Sequence, residues 1–430
     1  MSLQTTNLRL EINQTHPKFF NAQVIVPSLI IERLYKEASL AQRDLTHTPG
    51  FLRGNTPVKY IEVAYKKHIL HHVQEFLLNY LITGFLYQEL RARKLFFAGE
   101  PRLEHVTMEP NREGLFTFLF TACEPLALKG WKYYSFKPPK RKNYRDLDRQ
   151  VEFFLKSELE MPRHEAHTIH VNDWVCFDIG IVDKDKNSLF PAQNVWLKIG
   201  SEEVDTPFNE LFCGKKIHDT FYSSATCFQE YFSSQLDTNY LFQITIQDIA
   251  SDSLFCTEDF KSNFRLRTNK EMHKKLIEVF SYRNDISQRR ETVEEIFKLL
   301  LSQHTIEVPN HLVLWKQQAL LLAVQENPDY QVYRIQKDFN DKLYQLATKQ
   351  IRETILMDQL AVKENITVNH QDIKHYLNLI KRPRTKEFVY FDLPFTKING
   401  QEVPISSEIL KHYTLREKTL NYVIYHLTRK

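Results

Sequence analysis

Only 10 of the 430 residues are glycine, against 30 Phe and 20 Tyr. Such a chain has many rings to bury and few places where its backbone can take the left-handed angles that glycine supplies without strain. The balance favours helices and sheets joined by ordinary turns, and it leaves little material for glycine-rich phosphate loops. Two of the ten glycines stand four apart, in His47-Thr48-Pro49-Gly50-Phe51-Leu52-Arg53-Gly54-Asn55-Thr56-Pro57. They fence an apolar and basic tip, and Pro57 can open the next helix because its missing N–H is unpaired there in any case. A loop built this way pushes the Phe51 ring and the Arg53 guanidinium outward. On turn chemistry alone it also reads as a common turn before a helix.

A chain of 430 residues exceeds one hydrophobic core, so two to four domains are expected. With 42% hydrophobic and 26% charged residues it reads as folded rather than disordered. The start, Met1-Ser2-Leu3-Gln4-Thr5-Thr6, has neither a basic nor an apolar export region, and no apolar run reaches membrane-spanning length. Even Phe76 to Tyr87 is interrupted by Asn79 and Thr83. A soluble cytoplasmic chain is the expectation. Five cysteines (Cys123, Cys176, Cys213, Cys227, Cys256) show no pairing motif and read as reduced, mostly buried thiols. Charge is uneven. Residues 1–145 carry 21 Lys and Arg against 12 Asp and Glu, a net of +9, leaving 36 against 41, a net of −5, for the remainder. The N-terminal part is thus suited to a polyanion or an acidic surface. The run Lys137-Pro138-Pro139-Lys140-Arg141-Lys142-Asn143-Tyr144-Arg145 reads first as a solvated linker and second as an RNA contact.

Alternation over 7–25 predicts strands, and Ser28 is placed to cap a helix through Leu34, Ala38 and Ala41. Apolar positions from Val58 to Leu81 mark one face of a long helix after the tip, and Leu115 to Phe120 is strand-like. A compact α+β domain ending near residue 125 follows. Leu126 to about Leu159 reads as a linker and helix. Strands are expected at Trp174–Ile179, Val195–Ile199, Thr220–Thr226 and Tyr240–Ile249. Beyond Asn269 helical patterns dominate: 270–303, one opened by Val308-Pro309, Tyr330 to Val362, and shorter helices from Asn369 and Ser406.

Gly-Phe-x-Arg-Gly-x-x-Pro, between an amphipathic helix and a long one, resembles the ribosome-docking signature of trigger factor, a bacterial nascent-chain chaperone. The family core reads Gly-Phe-Arg-Lys-Gly-Lys-x-Pro. Here Gly50, Phe51, Gly54 and Pro57 match, Arg53 stands for a lysine, and Leu52 and Asn55 replace two basic residues. Weaker RNA contact than the family norm is implied. Leu300-Leu301-Ser302-Gln303-His304-Thr305-Ile306-Glu307-Val308-Pro309 and Glu364-Asn365-Ile366-Thr367-Val368-Asn369 resemble the links between the family's arm helices. The resemblance implies a ribosome-binding domain over 1–125, a linker packing with the C-terminal part over 126–159, an FKBP-like antiparallel sheet domain over 160–250, and an all-α arm domain over 251–430. Its ribosome-binding residues would be Gly50, Phe51, Leu52, Arg53 and Gly54. Its partners would be exit-tunnel proteins, ribosomal RNA and unfolded polypeptides, with a homodimer in the free form, no membrane and no cofactor.

Residues 171–250 resemble the family's prolyl isomerase. That chemistry uses no acid, base or nucleophile. A dry aromatic pocket disfavours the planar amide relative to the twisted one, against a barrier of roughly 18–20 kcal/mol. Phe208 as floor, Tyr231 at a rim loop and Phe242 on the last strand are the pocket aromatics implied. Ile179, Val195 and Leu189 (or Phe190) fill other aromatic positions, Asp205 sets a charge beside the substrate-gripping N–H, and Pro207 replaces a glycine. Weak or absent isomerase activity is the expectation, beside an alternative in which the chain is an active isomerase off the ribosome. The three rings also read as ordinary core. His164-x-x-His167-x-x-His170 and Lys66-Lys67-His68-Ile69-Leu70-His71-His72 lack zinc-ligand spacing, so no metal is expected and the second run reads as solvated. The arms would shield clients with exposed apolar positions. For Leu320, Leu321, Leu322 and Val324, however, burial within the bundle is the favoured reading.

Overall fold

The computed structural model describes residues 8–16, 19–95, 97–139, 146–160, 168–183, 185–232, 240–251, 257–280, 282–283, 286–325, 327–380, 385–393, 396–398 and 400–429. Strands β1 (Arg9–His16), β2 (Phe19–Val26), β3 (Phe97–Thr107) and β4 (Gly114–Ala122) form an antiparallel sheet in the order β1-β2-β4-β3. The inward residues of β4, Phe116, Phe118 and Phe120, are buried with Val24 and Val26 of β2 beneath the helices that follow. β3 was not foreseen from the sequence. Its polar outward residues, Glu100, Arg102 and Glu104, obscure the alternation that β4 displays.

Helix α1 (Ser28–Leu45) starts behind Pro27, with Ser28 already helical and its side chain making no cap. The expected single helix after the tip is broken. α2 (Val58–Ala64) ends at Tyr65, and α3 (Lys66–Leu77) runs into a π-helical turn at Leu78–Ile82 before α4 (Thr83–Ala92). In that turn the Thr83 N–H reaches the Leu78 carbonyl five residues back, and Thr83 Oγ1 donates to the same oxygen at 2.8 Å. The extra residue rotates the side chains that follow. Such turns cost stability and recur at functional positions.

After Leu128 and Trp131, which are buried among the C-terminal helices, comes α5 (Leu147–Glu160). The Trp131 indole N–H donates to Glu364 at 3.0 Å, and the Leu126 N–H to Gln359 at 2.6 Å. The second sheet follows: β5 (Trp174–Val182), β6 (Gln193–Lys198), helix α6 (Thr206–Phe212), β7 (Thr220–Ser223), helix α7 (Thr226–Phe232) and β8 (Leu241–Ala250). β5 is buried on both faces. Val175, Phe177, Ile179 and Ile181 share a core with α6, α7 and the N-terminal helices, while Trp174 and Cys176 face C-terminal helices. The expected rim loop at Phe228–Tyr231 is the helix α7.

The remainder comprises α8 (Thr257–Asn263), α9 (Asn269–Phe280), a short hairpin of β9 (Tyr282–Arg283) and β10 (Ile286–Ser287), α10 (Gln288–Gln303), α11 (Asn310–Gln325), α12 (Tyr330–Arg334), α13 (Phe339–Lys363) and α14 (His370–Ile380). A second hairpin, β11 (Lys397–Ile398) and β12 (Gln401–Glu402), precedes β13 (Ile405–Ser406) and α15 (Ser407–Thr428). The C-terminal part is therefore not all-α, and 270–303 is not one helix. β13 pairs with β6 through Ile405–Trp196 and Ser406–Val195, giving a five-stranded antiparallel order β13-β6-β5-β8-β7. Ser406 caps α15, its hydroxyl accepting from the Glu408 N–H. Inside the bundle the Arg289 guanidinium, almost fully buried, meets Glu417 at 2.9 Å, Asn421 at 2.8 Å and the Phe388 carbonyl at 2.9 Å. A buried charge placed this way needs every partner it has.

Candidate functional site

Three surfaces hold the residues singled out by sequence, and the first is the tip. Gly50 (φ +86°) and Gly54 (φ +82°) both adopt left-handed backbone, as the fenced loop requires. Turns close from the Phe51 N–H to the Thr48 carbonyl at 3.1 Å and from the Asn55 N–H to the Leu52 carbonyl at 2.9 Å. Buried Thr48 and Thr56 root the loop at either side. Between the glycines Leu52 is 77% exposed, and Phe51 is 38% exposed with its ring 5.9 Å from Tyr60. Arg53 points to solvent, its Nε donating to the Asp44 carbonyl at 3.3 Å. Among the described residues no carboxylate neutralises it. Leu45, Tyr60 and Val63 are exposed beside the tip, and Lys59, Lys66 and Lys67 are exposed on the helices behind it. This arrangement can insert apolar side chains into a groove while cations meet acidic groups at the rim.

The second surface is the face of the five-stranded sheet. Phe208 is 1% exposed and Phe242 fully buried, and the rings of α7 fill the space between them. Phe228 lies 5.4 Å from Phe208 and 5.9 Å from Phe242, while Phe232 lies 5.7 Å from Phe242. Tyr231 packs its ring 4.7 Å from Phe232. The structure thus gathers the three pocket residues around one aromatic cluster that fills its own centre. Ile179, Val195 and Phe190 are buried in the same core, with Leu189 at its edge. Asp205 does not lie open to a substrate. It is fully buried and accepts the Glu402 N–H at 2.8 Å, which anchors the β11–β12 hairpin.

A third surface lies on the helical hairpin of α11 and α13. The run Leu320–Leu321–Leu322–Val324, favoured as core by its unbroken hydrophobicity, is not buried: Leu322 is 59% exposed and the other three are half-buried. Leu314, Trp315, Val332, Tyr333, Tyr344 and Leu346 are also exposed, and Ile335 is 79% exposed. So much apolar area on one projecting element marks a binding surface.

Residues 268–387, spanning α9 to α14, match the family model described as the bacterial trigger factor protein C-terminus. Curated relatives extend the match along the chain. The trigger factor of Magnetococcus marinus is 22% identical over 86% of this chain and 86% of its own length. That of Halothermothrix orenii is 19% identical over 92% and 94%, and that of Rickettsia canadensis 20% identical over 94% and 90%. These matches are all to trigger factors, and together they extend along most of this chain. A solved structure of the trigger factor chaperone covers 97% of this chain at 12% identity with a TM-score of 0.38, a likeness too slight to bear on the arrangement of the parts.

The structure shows features that the motifs did not signal. Leu45, Tyr60 and Val63 join the tip only because α1 ends and α2 begins beside it, a proximity with no sequence pattern. His72, expected to be solvated, is fully buried, with its Nε2 2.7 Å from the Tyr240 hydroxyl and its ring stacked on that of Tyr240. Burial holds its pKa down at about 4. His68 and His71 on the same helix are exposed, as expected. No group of metal ligands occurs among the described residues, which exclude His164 and His167. Cys176 and Cys227 are buried free thiols, Cys123 is half-buried and Cys213 exposed, while Cys256 and Lys140–Arg145 lie outside the described residues. No described helix is long and apolar enough to cross a membrane.

Proposed function

We propose that this chain is a trigger factor, an ATP-independent chaperone that docks at the ribosomal exit tunnel through residues 50–54 and shields emerging polypeptides with the α11–α13 hairpin. The observation that carries the reading is the tip. An aromatic, an aliphatic and a cation stand in solvent on a loop rooted by two left-handed glycines, within a region of net charge +9. With Leu52 and Asn55 in place of basic residues, docking draws more on apolar contact and less on phosphate, so its salt dependence is shallow. The exposed hairpin residues supply non-directional burial for an unfolded client, which needs no nucleotide and no defined client sequence. The domains follow the sequence boundaries near 125, 159 and 250, with β13 reaching back into the middle sheet. The middle unit keeps an isomerase-like sheet with weak or lost turnover, because its aromatic centre is occupied by its own Phe228 and Phe232.

Co-pelleting with ribosomes tests the docking site. The variant Phe51→Ala/Arg53→Ala is expected to lose at least ten-fold in ribosome affinity while its thermal unfolding is unchanged, since both side chains are exposed. Equal pelleting of variant and wild type would remove the tip from the mechanism. The rival reading, an active isomerase working off the ribosome, predicts the converse: unaltered pelleting at a low level and a fast prolyl turnover.

A further inference from the structure

The middle sheet is not merely filled from within. It is also covered from outside by the N-terminal helices, and the contact is built from directed bonds as well as apolar area. Phe232, the outermost ring of the aromatic cluster, has Phe76 at 5.4 Å and Tyr80 at 5.0 Å on its outer side. The Tyr80 hydroxyl donates to two carbonyls of the sheet unit, Ile179 at 3.0 Å and Pro191 at 3.1 Å. Asn79 donates from Nδ2 to the Phe232 carbonyl at 3.1 Å. Two turns earlier His72 meets Tyr240, and the Phe76 ring lies 5.2 Å from the same tyrosine. Asn79 and Tyr80 both fall within the π-helical turn, and both bond to carbonyls of the sheet unit. Ile179, Phe190, Phe232 and Phe242 surround the place where a proline-containing peptide would enter an isomerase of this kind, and Tyr80 stands over that entrance.

We propose that residues 72–80 are a built-in plug. Phe76 and Tyr80 occupy in cis the aromatic mouth of the middle sheet, so a peptide with an aromatic or aliphatic residue before proline reaches it only when the helix lifts. This rests on reading the middle unit as isomerase-derived, and it adds a reason for low turnover that lies outside that unit. A π turn retained at the contact is then functional: it seats the plug, and its intrinsic instability keeps release within reach of a competing apolar segment. The covered face carries no new chemistry. Occupancy by the helix adds to the filling by Phe228 and Phe232 and does not replace it.

The test compares full-length wild type with the full-length variant Asn79→Ala/Tyr80→Ala. One measurement is cis–trans turnover of a Leu-Pro or Phe-Pro tetrapeptide, and the other is ribosome pelleting. Turnover per mole is expected to rise at least ten-fold in the variant, with pelleting retained. Turnover equal to or below that of the wild type overturns the plug, whether the wild type is active or inactive. Should the double variant not fold, Tyr80→Phe takes its place. It keeps the ring, deletes only the bonds to Ile179 and Pro191, and is expected to raise turnover two- to three-fold; no rise overturns the proposal. Loss of pelleting in the wild type would instead strike the docking reading and leave the plug standing.

Discussion

His72 is the residue where burial and chemistry conflict most openly. The imidazole is enclosed by Phe76, Tyr240 and the sheet, and folding holds it neutral down to about pH 4. An unfolded histidine takes up its proton near pH 6.5, so the unfolded chain binds the extra proton first as pH falls. Stability linked to this site is complete above pH 6.5 and declines between about 6.5 and 4. At roughly 1.4 kcal/mol per pH unit, the loss between pH 7 and pH 5 is about 2 kcal/mol. His72→Gln removes the proton while keeping a polar group beside Tyr240. Urea unfolding is expected to show wild type more stable than His72→Gln at pH 7 and the gap narrowing by about 2 kcal/mol at pH 5. A gap independent of pH would mean that the ring is not held neutral. His68, one turn earlier, and His71, the preceding residue, are exposed. The histidines of the run Lys66–His72 all read as solvated beside the lysines, and only the partner surface distinguishes the last of them. A sequence carries the identity of a side chain but not the element that will cover it.

At the scale of elements, the tip, β1, β2, β4 and most helix starts were legible because their signals are local: alternation, a proline, a pair of glycines. What failed was continuity. The periodicity from Val58 to Leu81 is compatible with one helix, yet a break at Tyr65 and a one-residue π insertion at Leu78–Ile82 are both needed to aim its two ends at different partners. Apolar spacing tolerates such an insertion without trace. Likewise the hairpin of β9 and β10 interrupts what reads as one helix from 270 to 303, and α7 replaces a loop. Phe208 and Phe242 line one aromatic cluster with Tyr231 against its Phe232, whereas Phe228 and Phe232, which fill that cluster, carried no separate signal. Gly99 marks another junction. Its backbone is left-handed (φ +73°) at the irregularity of β3, and an added Cβ would lie 2.9 Å from Leu312 Cδ2 of α11. The Leu312 terminus can yield, but the backbone cannot. Gly99→Ala is therefore expected to cost about 1–2 kcal/mol in thermal or urea unfolding. No loss would mean that the strand re-registers freely at this point.

At the scale of the whole molecule, two groups of exposed apolar residues stand out among those described. One is the small tip on the basic N-terminal part, and the other is the larger face along α11, α12 and the start of α13. The sequence reading assigned the Leu320–Val324 run to the core because hydrophobic residues in a helix are buried in most proteins. In this chain the first part of α11 packs against the N-terminal sheet, while Leu322, Val332 and Ile335 further along are exposed. Replacing Leu322 and Ile335 by serine is expected to leave the melting temperature within about 1 °C, since surface substitutions of this kind change stability little. The same variant should lose at least half of the wild type's capacity to suppress aggregation of an unfolded client, read by light scattering, with ribosome pelleting intact. Full suppression by the variant would move the client surface elsewhere.

The pairing of β13 with β6 has a consequence for how the protein itself is made. Trp196 and Val195 wait for Ile405 and Ser406, more than 200 residues downstream, and until those emerge the rim of β6 is an unpaired row of N–H and C=O groups. During synthesis that rim is open to wrong partners for about half of the chain's elongation. A molecule suited to guarding unfinished polypeptides is, for nearly the whole of its own translation, one of them.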